Sequence, residues 1–231
     1  MGNEQTTVVF GEDRASVYDS QSSGPVRDAL QYLVRSVLAD LPENARVLCV
    51  GVGTGLELLD LAKAFPKWTF TAVEPAAAMM AHCRRRVEEA GVEARCTFHE
   101  GFLETLPESE PFDGATCLLV SHFFLQLEDR KNFLSLIARR LKVGGRLVSS
   151  DLVSDMSSAK FPRLMKAWRQ MLRYQGLSEE QIDSFCNHYG TNVAVLPPVQ
   201  VENLIAGSGF STPTLFHQAL FIHAWFADRA A

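Results

Sequence analysis

Residues 47–55 read VLCVGVGTG, and their types and spacing point most directly to chemistry. An apolar, β-branched run breaks into Gly51, Gly53 and Gly55, and a helical pattern, LELLDLAKAF, follows. A strand that ends in alternating glycines and opens a helix makes a nucleotide-sized pocket. The glycines let backbone approach a ligand closely, and the helix start offers unpaired N–H groups. The spacing is GxGxG with Leu56 next, so the dinucleotide pattern GxGxxG is not met. The phosphate loop GxxxxGK followed by Ser or Thr is not met either. A nucleoside-type ligand without a pyrophosphate fits better, and S-adenosylmethionine (SAM) is the candidate.

Further residues along the chain could carry chemistry. Glu74 closes the apolar run WTFTAVEP, 23 residues after Gly51. An acid about 20 residues past a glycine turn can accept from both ribose hydroxyls. On that reading its loss weakens ligand binding and leaves ligand-free stability unchanged; the alternative is a surface carboxylate at a strand end. Thr54 and Glu57 spell T-x-x-E, a capping box for a helix over 54–65, with Thr54 still able to meet a ligand through its backbone. Ser121, His122 and Phe123 follow the fourth apolar run, where cofactor and acceptor would meet. His122 is a candidate general base near neutral pH, against a hydrogen-bonded structural role. Tyr18, in DRASVYD, either folds over the cofactor or packs on the core. The basic aromatic stretch 163–173 lines an acceptor pocket or forms a solvated helix face.

These residues must be positioned by a frame, and 231 residues suffice for one large α/β domain. With 47% hydrophobic and 21% charged residues the composition is that of a globular protein. A net charge of −5 argues against an extended nucleic-acid surface. Five scattered cysteines without CxxC read as reduced thiols of a cytoplasmic protein, not as a disulfide frame or a metal site. There is no signal-peptide pattern and no 18-residue apolar run, so neither secretion nor a membrane partner is expected.

Apolar runs at 46–50, 68–73, 94–98, 113–119 and 145–150 read as strands. They alternate with helical patterns at 25–39, 54–65, 76–90 and 129–142. In 129–142, Phe133, Leu134, Ile137 and Leu141 share one face, with Arg130, Lys131, Arg139 and Arg140 mostly on the other; Gly144–Gly145 gives the stop. Alternation of this kind demands a largely parallel sheet with a ligand at the carboxyl ends of its strands. Residues 156–188 read as helical, 198–207 as a helix, and 213–218 with 219–226 as a closing antiparallel hairpin. Residues 152–195 form a helical cap too short to bury a core alone, and residues 1–40 an N-terminal arm and helix.

Taken together, these residues resemble the class I SAM-dependent methyltransferases from about Phe10 to Asp228. VLCVGVGTG is similar to their first motif and AVEPAAAMMAHCRRR to their second. FHEGFLETLP and FDGATCLLVSHFF are similar to the third and fourth, and LKVGGRLVSSD to the fifth. The resemblance implies a Rossmann-like seven-stranded sheet of order 3-2-1-4-5-7-6 with strand 7 antiparallel and helices on both faces. It implies SAM as cofactor and S-adenosylhomocysteine as product. The implied cofactor residues are Val50, Gly51, Val52, Gly53, Thr54, Gly55, Glu74, Pro75, Met79, Gly101, Phe102, Leu103, Ser121, His122 and Phe123. Glu74 takes the ribose position and Met79 packs on adenine.

Within the family, the tail and the stretch around 121–151 look most like the branch holding carboxy-SAM synthase of the tRNA wobble-uridine pathway. The arginine that holds the extra carboxylate there is missing from FCNHYGTNV. Two positions depart from the family: Cys49 and Phe102 stand where acids are common. The expected function is methyl transfer from SAM to a small molecule or modified nucleoside. The alternatives are a non-catalytic or degenerate SAM-binding module, a carboxy-SAM-related enzyme of tRNA modification, and a nicotinamide oxidoreductase, which GxGxG disfavours. The cap and the arm are the surfaces through which a homodimer would form.

Overall fold

A computed structural model describes residues 24–231; Tyr18 and the rest of the expected arm lie outside the described residues. The elements, in chain order, begin with α1 Pro25–Leu38, β1 Arg46–Val50, α2 Leu56–Ala64, β2 Thr69–Glu74, α3 Ala77–Glu89 and β3 Cys96–Glu100. Next come β4 Phe112–Leu118, α4 Leu127–Arg140 and β5 Leu141–Leu152. The last are α5 Phe161–Tyr174, α6 Glu179–Asn187, α7 Pro198–Ala206, β6 Thr214–Ala219 and β7 Ile222–Asp228. The seven strands make one sheet of order β3-β2-β1-β4-β5-β7-β6. All neighbours are parallel until β7, which pairs antiparallel with both β5 and β6. This is the Rossmann-like order that the resemblance implies.

Each face of the sheet buries its own cluster. Leu48, Val50, Val73 and Cys117 pack with Phe133, Leu134 and Ile137 of α4 and Val201 and Ile205 of α7. Val47, Cys49 and Ala72 pack with Leu30 and Val34 of α1, Leu58 and Leu61 of α2, and Cys83 and Val87 of α3. Successive strand residues point to opposite faces, so the alternation within VLCV serves both clusters.

Several elements differ from the sequence expectation, for local reasons. Helix α4 stops at Arg140, and Leu141 joins β5 by pairing with Phe112 instead of continuing the helical face. The register then shifts before Gly114 pairs with Arg146, and Gly144 turns there at φ 78°. The helical stretch after Asp151 is two helices, α5 and α6, broken at Gly176 (φ 87°) and restarted by a capping box on Ser178 and Gln181. These two helices do not bury a core alone: Trp168, Leu172, Ile182, Tyr189, Val193 and Val195 close around Leu152 of β5 and Phe221. The missing partner was Phe221, supplied by the β6–β7 turn. Arg169 and Arg173 reach across to Glu179 and Asp183, so this part of the basic stretch ties α5 to α6.

The largest departure is Arg130, expected on the polar face of α4 and found fully buried. Its Nη2 lies 2.9 Å from Asp151 Oδ2, and its Nε–H donates to Ser121 Oγ at 2.9 Å. The Ser121 hydroxyl in turn lies 2.9 Å from each oxygen of Asp151. Burial pushes the Asp151 carboxyl up, but the charge of Arg130 with the His122 and Ser121 contacts outweighs it and holds Asp151 below the ordinary range. The pair therefore ties α4, β5 and the segment after β4 into one unit.

A prediction follows for Arg130→Met. Removing one partner of a buried ion pair strands the other, at a cost of about 3–5 kcal/mol. Asp151, lowered in the folded protein, stabilises above its ordinary titration range and ceases to do so as pH falls through its folded pKa. In the variant, burial acts on Asp151 without Arg130. Denaturant melts should show the deficit large at pH 7 and shrinking towards pH 4 (roughly the free carboxyl range). A deficit below about 1 kcal/mol at pH 7 would place Arg130 outside the stabilising core.

Candidate functional site

The carboxyl ends of β1, β2 and β4 meet around the glycine turn. Gly51, Gly53 and Gly55 all have left-handed φ values, 66°, 56° and 85°. Two of them also need glycine for space. A Cβ on Gly51 would lie 2.5 Å from Val120 Cγ2, and one on Gly55 would lie 2.6 Å from Cys83 Sγ. Among the described residues, a Cβ on Gly53 would meet nothing within 4 Å. The outer glycines therefore fit the turn against the protein, and the middle one packs against none of the described residues.

Glu74 fixes this turn. The N–H of Gly53 donates to its Oε2 at 3.0 Å and the N–H of Ala76 to its Oε1 at 2.9 Å. The N–H groups of Gly51 and Val52 donate to the Val73 carbonyl. Glu74 is 8% exposed. Burial pushes its carboxyl up, and the two backbone donors pull against that. The expectation of unchanged ligand-free stability on its loss is corrected: removing the carboxylate orphans two N–H groups. Each oxygen keeps lone-pair capacity for a further donor.

The expected capping box is absent. Helix α2 starts from Gly55 as its N-cap, with no side-chain cap, because the left-handed glycine turn runs to residue 55. Glu57 turns instead to the sheet, where its Oε1 accepts from Thr116 Oγ1 at 2.8 Å. Thr116 pairs with Cys49, so the Glu57 carboxyl sits beside the position where the resemblance misses an acid.

The other expected positions surround the same strand ends. Val50, Val52 and Thr54 are buried within the turn, and Pro75 follows Glu74. Met79 is buried in a small cluster with Ala76 at the start of α3. Gly101 donates its N–H to the Glu74 carbonyl at 3.1 Å, which brings the end of β3 alongside. Phe102 leads into a short helical turn, Leu103–Thr105, with its ring half-buried and Leu103 buried.

Ser121, His122 and Phe123 form another short turn after β4. His122 is buried, with Nδ1 3.4 Å from Asp151 Oδ1 and within 3.4 Å of the Leu152 N–H, which donates to it. Its carbonyl accepts from the N–H of Ala194 at 2.8 Å, joining it to the segment after α6. Among the described residues His122 Nε2 has no hydrogen-bond partner. His217 and His223 lie on the edge hairpin, where burial lowers both imidazoles.

The sequence reading missed Arg130 and Asp151 as the support of His122, and Thr116 as the partner of Glu57. A signal for the first was present: Arg130 stands three, four and seven residues before Phe133, Leu134 and Ile137, on the buried face. Nothing local in the sequence signals Thr116, because its partner is 59 residues away.

Comparison with known proteins adds to this geometry. Residues 47–145 match the family described as a methyltransferase domain. A search of curated proteins finds no match. Among solved structures, human N-acetylserotonin methyltransferase in complex with SAM is 18% identical with a TM-score of 0.66; the match covers 100% of this chain and 60% of that one. CalO1, a methyltransferase of calicheamicin biosynthesis with S-adenosylhomocysteine bound, is 18% identical at TM-score 0.60, over 88% of this chain and 54% of that one. The (4+2)-cyclase SpnF is 15% identical at TM-score 0.70, over 98% and 96%. The chain thus spans little more than half the length of the two methyltransferases and nearly all of the cyclase. By sequence over residues 47–145, and by the strand order of its sheet, it has the Rossmann-like fold of the class I SAM-dependent methyltransferases.

Proposed function

We propose that this chain is a SAM-dependent methyltransferase acting on an oxygen of a small-molecule or modified-nucleoside acceptor. The observation that carries the reading is the glycine turn clamped by Glu74, with Gly53 at the strand ends packing against none of the described residues. The residues fit the cofactor: Glu74 has acceptor capacity for ribose hydroxyls, Met79 offers an apolar wall, and the turn leaves room for backbone approach. Phe102 replaces an acceptor for the adenine amino group with a packing surface. When bound, SAM supplies a methyl carbon made electrophilic by its sulfonium, whose C–S bonding pair passes to sulfur as the acceptor oxygen attacks.

The protein's own part is alignment and proton handling. In the tautomer whose Nδ1–H faces Asp151 rather than accepting from the Leu152 N–H, His122 would take the acceptor's proton at Nε2. Arg130 and Ser121 keep Asp151 ionised and in place. A solved structure of this fold described as an O-methyltransferase family protein, from Burkholderia thailandensis (15% identical, TM-score 0.63, over 87% of this chain and 57% of that one), supports oxygen as the acceptor atom, as does this dyad. The carboxy-SAM branch gains no support from the cap, where Arg169 and Arg173 are bonded to Glu179 and Asp183. All five cysteines are free, which supports a reducing compartment, and no helix among the described residues is long and apolar enough to cross a membrane.

Calorimetry should show saturable binding of SAM and of S-adenosylhomocysteine and none of NAD. Saturable NAD binding without a SAM response overturns the reading. SAM binding with no S-adenosylhomocysteine formed across a panel of hydroxylated acceptors would replace it with a binding module.

Glu74→Ala should weaken SAM by about 1.5–3 kcal/mol, the scale of hydrogen bonds to a charged group, and lower ligand-free stability by about 1–3 kcal/mol per orphaned donor. Lowered stability with unchanged affinity would leave Glu74 a clamp and nothing more.

His122→Asn should lower kcat by about 10²–10⁴-fold, the range for general-base catalysis, with SAM affinity kept. A full rate would return His122 to a structural role.

A further inference from the structure

Glu57 has no part in the mechanism above, yet its setting is unusual for a helix-surface carboxylate. Its Oε1 is held by the Thr116 hydroxyl of β4, and among the described residues Oε2 has no hydrogen-bond partner. The residue keeps some exposure, and Oε2 is not among the buried polar atoms left without a partner. Thr116 lies on β4, on the opposite side of β1 from β2, which ends in Glu74. The two carboxylates therefore straddle the glycine turn, Glu74 towards β2 and Glu57 towards β4. The groups around Glu57 are Arg27 of α1, Cys49 of β1, Glu74 of β2, Cys83 of α3 and Cys117 of β4. Of these only Arg27 carries positive charge.

We propose that Glu57 is a cofactor-binding residue whose carboxylate takes the ammonium of the amino-acid end of SAM, with Thr116 as its positioning residue. The inference rests on SAM being the ligand of the glycine turn. With the ribose on Glu74, an adenosyl ligand that crosses the turn towards β4 brings its amino-acid end to Glu57. It also accounts for Cys49: the acid missing from β1 is supplied from the first turn of α2, on the same face of the sheet. Burial pushes the Glu57 carboxyl up to about 7; the Thr116 bond and the charge of Arg27 pull against this, and Glu74 adds to it. A cation against Oε2 draws that value down, so binding near neutral pH releases a proton from Glu57.

The experiment compares two probes, S-adenosylhomocysteine and 5′-methylthioadenosine, which share the adenosyl part and differ in the ammonium-bearing end. Both are titrated calorimetrically into the wild-type chain and into Glu57→Gln and Thr116→Val. Glu57→Gln should lose about tenfold or more for S-adenosylhomocysteine, as for a hydrogen bond to a charged group, and stay within about twofold for 5′-methylthioadenosine. Thr116→Val should show the same selectivity with a smaller loss. Titrations at pH 7 in buffers of different ionisation enthalpy should show proton release with the wild type and none with Glu57→Gln. Equal affinities of wild type and Glu57→Gln for S-adenosylhomocysteine, or an equal loss for both probes, overturn the assignment. Failure of the wild type to bind either probe overturns the SAM reading itself, a result separable from the other two.

Discussion

A carboxylate with no exposure to water is the constraint on which the catalytic end of this fold depends. Asp151 lies near the end of β5, where desolvation alone would drive it neutral. It stays ionised because α4 delivers Arg130 from one side and the turn after β4 delivers Ser121 and His122 from the other. None of the three contacts is local in sequence. Removing any one leaves a buried charge short of partners, so the ends of β4 and β5 and the start of α4 move together or not at all. The hydrogen bond from Ala194 to the His122 carbonyl extends the unit to the segment after α6.

Around the glycine turn the electrostatics run the other way. Glu74 and Glu57 are both raised by burial; Arg27 pulls Glu57 down without offsetting it, and among the described residues no arginine acts on Glu74. Two carboxylates flanking one turn repel a pyrophosphate and favour a ligand that brings positive charge. The missing third glycine spacing in the sequence and this charge arrangement thus disfavour a dinucleotide for independent reasons. One concerns how closely backbone can approach phosphate, the other the sign of the local field.

What was legible in the sequence was periodic or punctuated. The parallel strands, the glycine turn, the end of α3 at Gly91 and the closing hairpin are local signals, and the structure has them within a few residues of their expected bounds. What was not legible depended on partners far along the chain. T-x-x-E reads as a capping box only if the helix begins at Thr54, and the left-handed Gly55 moves its start. Segment 152–195 is too short to bury a core alone, and what its sequence could not show is the partner that completes the core, Phe221, beyond α7 and β6. Arg130 is a different failure. Its spacing placed it on the buried face, and its charge argued it off that face because the partner, Asp151, comes 21 residues later. Within the site, the glycines and Glu74 were readable from their spacing. Glu57 was read for the wrong bond, and the support of His122 was not read at all.

The strand order in this chain also carries a cyclase, SpnF, over nearly the whole of its length. The sheet and its strand order therefore leave open what is done at the strand ends. That part falls to the segment after β4 and to whatever packs over it. Here the interior of α5 and α6 is filled by Trp168, Tyr189 and Phe221, with ring centroids 5.5 and 5.9 Å apart in edge contacts to Phe221, so it has no room for an acceptor. On the proposed function, acceptor choice falls to its border with the sheet, where the N–H of Ala194 donates to the His122 carbonyl. A substitution there would then act on the acceptor and on the position of the imidazole through the same hydrogen bond.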